Sequence, residues 1–137
     1  MSDIIAIGGA GFSADLPNLA LDRYILDQTK NDRPNVLFIP TAPGDSDPYI
    51  AKFYAAYATL DAKPRHLTFF QRTPDLEALI LAQDAIHVGG GNTKSMLAVW
   101  REWGLPDLLG KASAAGIVLA GISAGAICWF EQGVTDS

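Results

Sequence analysis

The stretch Gly116-Ile117-Val118-Leu119-Ala120-Gly121-Ile122-Ser123-Ala124-Gly125-Ala126 decides the fold of this chain. Residues 116–120 read as a short buried strand, and the apolar residues that follow, through Cys128-Trp129-Phe130, read as the first turns of a helix. Between them stands Gly-x-Ser-x-Gly, with Ser123 at the sharp strand-to-helix turn. Such a turn strains its central residue and needs small flanking residues, so that the backbones pass closely. It projects a hydroxyl beyond the end of a sheet, at a helix N-terminus, where unpaired N–H groups and the helix dipole favour developing negative charge. A serine that only capped the helix would not require glycine at both minus two and plus two. Ser123 is therefore read as a nucleophile.

Upstream of this elbow the chain alternates strands and helices. Asp3-Ile4-Ile5-Ala6-Ile7 is a continuous apolar run ending in Gly8-Gly9, the pattern of a strand covered on both faces. Residues 17–29 read as a helix with Leu19, Leu21, Ile25 and Leu26 on one face. Asn35-Val36-Leu37-Phe38-Ile39 is a second buried strand, followed by a polar loop over 41–47. Residues 48–60 form a helix whose aromatic stripe, Tyr49, Phe53, Tyr54 and Tyr57, reads as core. His66-Leu67-Thr68-Phe69-Phe70 is expected as a third strand, and residues 74–82 as a short helix capped by Thr73. Asp84-Ala85-Ile86-His87-Val88 is a fourth strand running into Gly89-Gly90-Gly91-Asn92-Thr93. Helices over 93–102 and 105–115, the latter with Pro106 in its first turn, lead to the fifth strand and the elbow.

Five alternations predict an α/β fold, a parallel sheet with helices on both faces. Ligands of such sheets sit at the carboxyl ends of the strands. The glycine loop after the fourth strand and the elbow after the fifth are thus expected at one edge, where three glycines let backbone N–H groups turn toward a ligand. The N–H of Ala124 and one from the Gly89-Gly90-Gly91 loop are candidates for an oxyanion hole.

Two nucleotide-binding readings fail. Gly9-Ala10-Gly11-Phe12-Ser13-Ala14 matches a dinucleotide fingerprint, but Pro40-Thr41-Ala42 stands where an acidic ribose ligand belongs. Thr93-Lys94-Ser95 lacks the glycine of a phosphate loop.

Composition narrows the classes further. At 137 residues the chain is one domain with room for a core. A net charge of -5, without a basic cluster, argues against nucleic acid as a partner. No apolar run is long enough to span a membrane, and Met1-Ser2-Asp3 does not open a signal peptide. The one cysteine, Cys128, forms no internal disulfide and reads as a small buried hydrophobe, which points to a reducing cytoplasm.

Three segments together, Ile7-Gly8-Gly9, Val88-Gly89-Gly90-Gly91-Asn92-Thr93 and Gly121-Ile122-Ser123-Ala124-Gly125-Ala126, resemble peptidase E, the aspartyl dipeptidases of serine peptidase family S51, and the related cyanophycinases. The resemblance spans essentially the whole chain. It implies a fold similar to class I glutamine amidotransferases, a flavodoxin-like three-layer sandwich. It also implies Ser123 as catalytic nucleophile, Gly91 and Ala124 as the oxyanion hole, Asn92 beside a small peptide substrate, and no metal or cofactor. Substrates with an N-terminal aspartate are the favoured expectation. Amidotransferase chemistry is disfavoured, because those enzymes carry cysteine where Ser123 stands.

The pattern is incomplete in one respect. In the family a histidine well downstream of the serine acts as base, and here fourteen residues follow Ser123. The chain is expected to lack its C-terminal third. Two histidines are present: His66 is expected at the edge opposite the site, and His87 within the core. Without a base the hydroxyl is a poor nucleophile. The 137 residues alone are expected to be inactive, and to associate as homo-oligomers or with a complementing C-terminal segment. The alternative is a short inactive homologue that binds small peptides or a partner through the same loops.

Overall fold

The computed structural model describes residues 4–7, 12, 19–70 and 74–122. It contains strands β1 (Ile4–Ile7), β2 (Asn35–Ile39), β3 (Lys63–His66), β4 (Ala85–Val88) and β5 (Val118–Ile122). The helices are α1 (Ala20–Gln28), α2 (Asp47–Tyr57), α3 (Leu76–Leu81), α4 (Thr93–Trp103) and α5 (Leu105–Ala114). The strands form one sheet in the order β1-β5-β4-β2-β3, and every pairing is parallel.

Side chains alternate across this sheet, so strands β2, β4 and β5 each feed two cores. Leu37, Ile39, Ile86, Val88 and Leu119 face one layer with Leu79 and Ile80 of α3, Met96 and Trp100 of α4, and Leu105 and Leu109 of α5. Val36, Phe38, Ala85, Val118 and Ala120 face the other, with Ile25 and Leu26 of α1 and Phe53 and Tyr57 of α2. Both faces are covered, which is why the strands read as unbroken apolar runs. The fold is the expected three-layer α/β sandwich. The aromatic stripe of α2 is core as read, with Phe53 and Tyr57 fully buried and Tyr49 and Tyr54 packed against them.

Several boundaries differ from expectation. The third strand is Lys63-Pro64-Arg65-His66, not the apolar run 66–70. Among the described strands it is an edge strand, paired through Asn35↔Lys63 to Phe38↔His66, and there charge and proline are tolerated. The apolar residues after it, Leu67 and Phe69, instead fold into the α3–α5 core. His66 therefore closes its strand at the carboxyl edge rather than opening it at the other.

Strand β5 starts two residues later than read. Gly116 takes φ 87° in the turn after α5, where the Ile117 N–H bonds back to the Ala112 carbonyl at 3.1 Å. The strand then runs on to Ile122, because pairing with β1 continues to Ile7↔Ile122. Helix α3 is capped by Asp75, whose carboxylate accepts the Ala78 N–H at 3.2 Å, and not by Thr73, which lies outside the described residues. On α1, Leu21 is exposed while Asp22 is buried, its Oδ1 accepting the Tyr57 hydroxyl at 2.7 Å.

Candidate active site

Adjacent strands β2 and β4 send their chains to opposite faces, β2 into α2 and β4 into α4. Divergence of this kind marks where open α/β sheets bind ligands, beyond the carboxyl ends of the strands. Two loops stand there, residues 40–45 after β2 and residues 89–92 after β4. The elbow leaves β5, the other neighbour of β4. Its register, Val88↔Gly121, sets the glycine loop and Ile122 at neighbouring strand ends. Ser123 and Ala124 lie outside the described residues.

The 40–45 segment is a tight turn, closed by Gly44 N–H to Thr41 carbonyl at 2.9 Å and Asp45 N–H to Pro40 carbonyl at 2.8 Å. Its next carbonyl, that of Ala42, accepts the Asn92 N–H at 2.9 Å. Gly91 lies hard against the same group: a Cβ there would stand 2.4 Å from the Ala42 oxygen, and its φ of 152° is one that L side chains rarely adopt. Only glycine fits. Among the described residues no hydrogen bond engages the N–H of Gly90 or Gly91. Of the loop's last three N–H groups, Asn92 is thus committed to the 40–45 turn and the two glycines are not.

Asn92 also caps α4, its Oδ1 accepting the Ser95 N–H at 3.0 Å. That bond occupies one end of the carboxamide and leaves Nδ2 without a partner among the described residues.

Neither histidine presents an accessible ring at the carboxyl end of β5. His66 is at the carboxyl edge, but on β3, three strand spacings from β5, or roughly 14 Å. Its Nδ1 is paired with the Tyr54 hydroxyl at 2.7 Å. His87 is fully buried on the α1–α2 face of β4, edge-on to Phe38, and burial pushes its pKa down to about 4. Both its nitrogens lack a hydrogen-bond partner among the described residues. It is a core histidine, as read.

At the far end of the 40–45 turn, Asp45 sits at φ 55° and accepts the Phe69 N–H at 3.0 Å. Burial raises its pKa, as it does for Asp22. The part this turn plays is not legible in the sequence alone. The visible signal was Pro40-Thr41-Ala42 itself, a strand end that is neither a ribose ligand nor a plain polar loop. Among the described residues no group of histidine, cysteine and carboxylates is arranged to hold a metal ion. None of the described helices is long and apolar enough to cross a membrane.

The described residues form a parallel α/β sandwich in which the glycine loop and the end of β5 stand at one edge of the sheet. The model of Peptidase family S51 matches residues 4–137, and the chain belongs to that family. It is 54% identical over 138 residues to "Uncharacterized peptidase YgaJ" of Bacillus subtilis (strain 168), covering 100% of this chain and 60% of that protein. The chain thus spans about 60% of the length of this curated relative. Two solved structures share the fold. A putative peptidase E protein from Listeria monocytogenes EGD-e has a TM-score of 0.68 at 22% identity, over 91% of this chain and 60% of that one. A peptidase from an acI-B1 Actinobacterium has a TM-score of 0.75 at 21% identity, over 91% and 55%.

Proposed function

We propose that this chain carries the nucleophile and oxyanion site of a serine-type peptidase that hydrolyses short peptides, with N-terminal aspartate favoured. The observation that carries the reading is the β4–β5 register. It sets the ends of β4 and β5 side by side, and in sequence the glycine loop follows the one and Ser123 the other, with the Gly91 N–H uncommitted among the described residues.

In this reading the Ser123 hydroxyl attacks the peptide carbonyl and gives up its proton to a base. The oxyanion is held by the N–H groups of Gly91 and Ala124, each worth roughly 3 kcal/mol in comparable sites. Collapse of the tetrahedral intermediate expels the amine, which takes that proton. Water then hydrolyses the acyl-enzyme and restores the serine. Asn92 lies beside the substrate, its Nδ2 without a partner among the described residues and so placed to donate.

The base is a histidine other than His66 and His87, sought in the additional length that the relatives have. The 137 residues taken alone are read as binding short peptides without turning them over. Ser123→Ala in the full-length protein tests the proposal: turnover of an aspartyl dipeptide should vanish while the melting temperature stays within a degree or two. Unchanged turnover would place the nucleophile elsewhere.

A further inference from the structure

The glycine loop is not held by its own strand alone. Trp100, fully buried on α4, donates its indole N–H to the Thr41 hydroxyl at 3.0 Å, and Thr41 is itself buried. Thr41 opens the turn whose following carbonyl, on Ala42, accepts the Asn92 N–H and blocks the Cβ position of Gly91. Helix α4 begins at Thr93, directly after this loop, so Trp100 reaches back to the turn from two helical turns downstream. The chain therefore closes a ring: loop 89–92, helix α4, Trp100, Thr41, Ala42 and back to Asn92.

We propose that Thr41 and Trp100 are positioning residues for the peptidase reaction, clamping the Ala42 carbonyl so that the Gly91 N–H stays aimed where the oxyanion forms. The inference rests on the oxyanion role proposed for Gly91. Two features support a role beyond packing. An indole N–H buried in a core needs a partner, and here that partner lies on the turn whose Ala42 carbonyl bonds the glycine loop. The Ala42 carbonyl also takes up the Asn92 N–H, which ties the loop to the turn and leaves the Gly91 N–H without a partner among the described residues. A preorganised donor is worth more than a mobile one, because nothing has to reorient as charge develops. A loosened clamp should therefore weaken the transition state more than the bound substrate.

The test uses the full-length protein, an aspartyl dipeptide as substrate and an aspartyl aldehyde as mimic of the tetrahedral state. Thr41→Val and Trp100→Phe should each lower kcat roughly 10- to 100-fold with KM within about twofold, and weaken the aldehyde by a similar factor. Thr41→Ser, which keeps the hydroxyl, should restore both. Amide hydrogen exchange supplies a readout independent of activity. The Asn92 amide should exchange at least tenfold faster in the two damaging variants, while amides of Leu37 and Ile86 keep their protection.

Wild-type kcat and aldehyde affinity in both variants, with Ser123→Ala inactive, would overturn the clamp and leave the nucleophile reading standing. An active Ser123→Ala would overturn that reading and the catalytic role of the clamp with it. Should Thr41→Val fail to fold, Trp100→Phe is read by the same assays. An unchanged Asn92 exchange rate there overturns the inference.

Discussion

The Phe12 ring meets the imidazole of His87 edge to face, their centroids 5.2 Å apart, inside a core that also holds Phe38, Phe53 and Tyr57. Burial there withholds the solvation that an imidazolium needs. With a pKa depressed from 6.5 to about 4, His87 stays neutral in the fold and binds a proton more readily when the chain unfolds. Its contribution is complete above pH 6.5 and is lost as pH falls toward 4, on the order of 3 kcal/mol over that window. Asp22 and Asp45, whose pKa values are raised, act in the opposite sense at the acid end. The difference between wild type and His87→Leu isolates the histidine. We expect that difference to be flat above pH 6.5 and to grow in favour of the variant down to pH 4.5, measured by urea unfolding. A difference independent of pH would refute the assignment.

Gly91 and Gly89 should respond differently to one added methyl. In Gly91→Ala the Cβ meets the Ala42 carbonyl, a backbone group that cannot yield without breaking the bond to Asn92. We expect a loss of several kcal/mol of stability and at least a hundredfold loss of turnover. In Gly89→Ala the Cβ meets the Phe38 ring at 3.2 Å, which can shift by a few tenths of an ångström. Thermal melts of the two proteins decide it, and equal penalties would count against the close approach described for Gly91.

Asn92 combines a cap with a proposed substrate contact, and two substitutions separate them. Asn92→Ala removes the bond to the Ser95 N–H and should cost about 1 kcal/mol. Asn92→Asp keeps an N-cap acceptor and favours the helix N-terminus, so its stability should match wild type. It loses the Nδ2 donor, and KM should rise several-fold if that donor reads the peptide. Wild-type kinetics in Asn92→Asp would confine the residue to capping.

The positions of His66 and His87 predict that residues 1–137 by themselves turn over peptide several orders of magnitude more slowly than the full-length protein. One histidine is three strands from the elbow and the other is sealed in the core. Loss of a base still leaves the proposed oxyanion site, so rates several orders of magnitude below the full-length protein are expected rather than zero. The comparison is an assay of both proteins on the same dipeptide. Equal rates would make one of these two histidines the base.

Where local chemistry is decisive, the amino-acid order was enough. Runs such as Val36-Leu37-Phe38-Ile39 announce strands covered on both faces, since apolar side chains on alternate sides need two cores. The glycines of 89–91 announce close backbone approach, because their freedom is a property of the residue itself. The alternation of elements then limits the topology, and places both candidate loops at carboxyl ends.

Partners distant in sequence were not legible. That β3 is Lys63-Pro64-Arg65-His66 follows from its place at the sheet edge, which relaxes the demand for apolar residues. Asp22 is buried because the Tyr57 hydroxyl, thirty-five positions away, meets its carboxylate, overriding the apolar face that Leu21 suggested. The obligation of Gly91 to be glycine is set by the Ala42 carbonyl, and that carbonyl stands in a turn bonded to Trp100 through Thr41. Each of these is a contact between segments whose separation along the chain hides it, and only packing the layers together brings the groups within bonding distance.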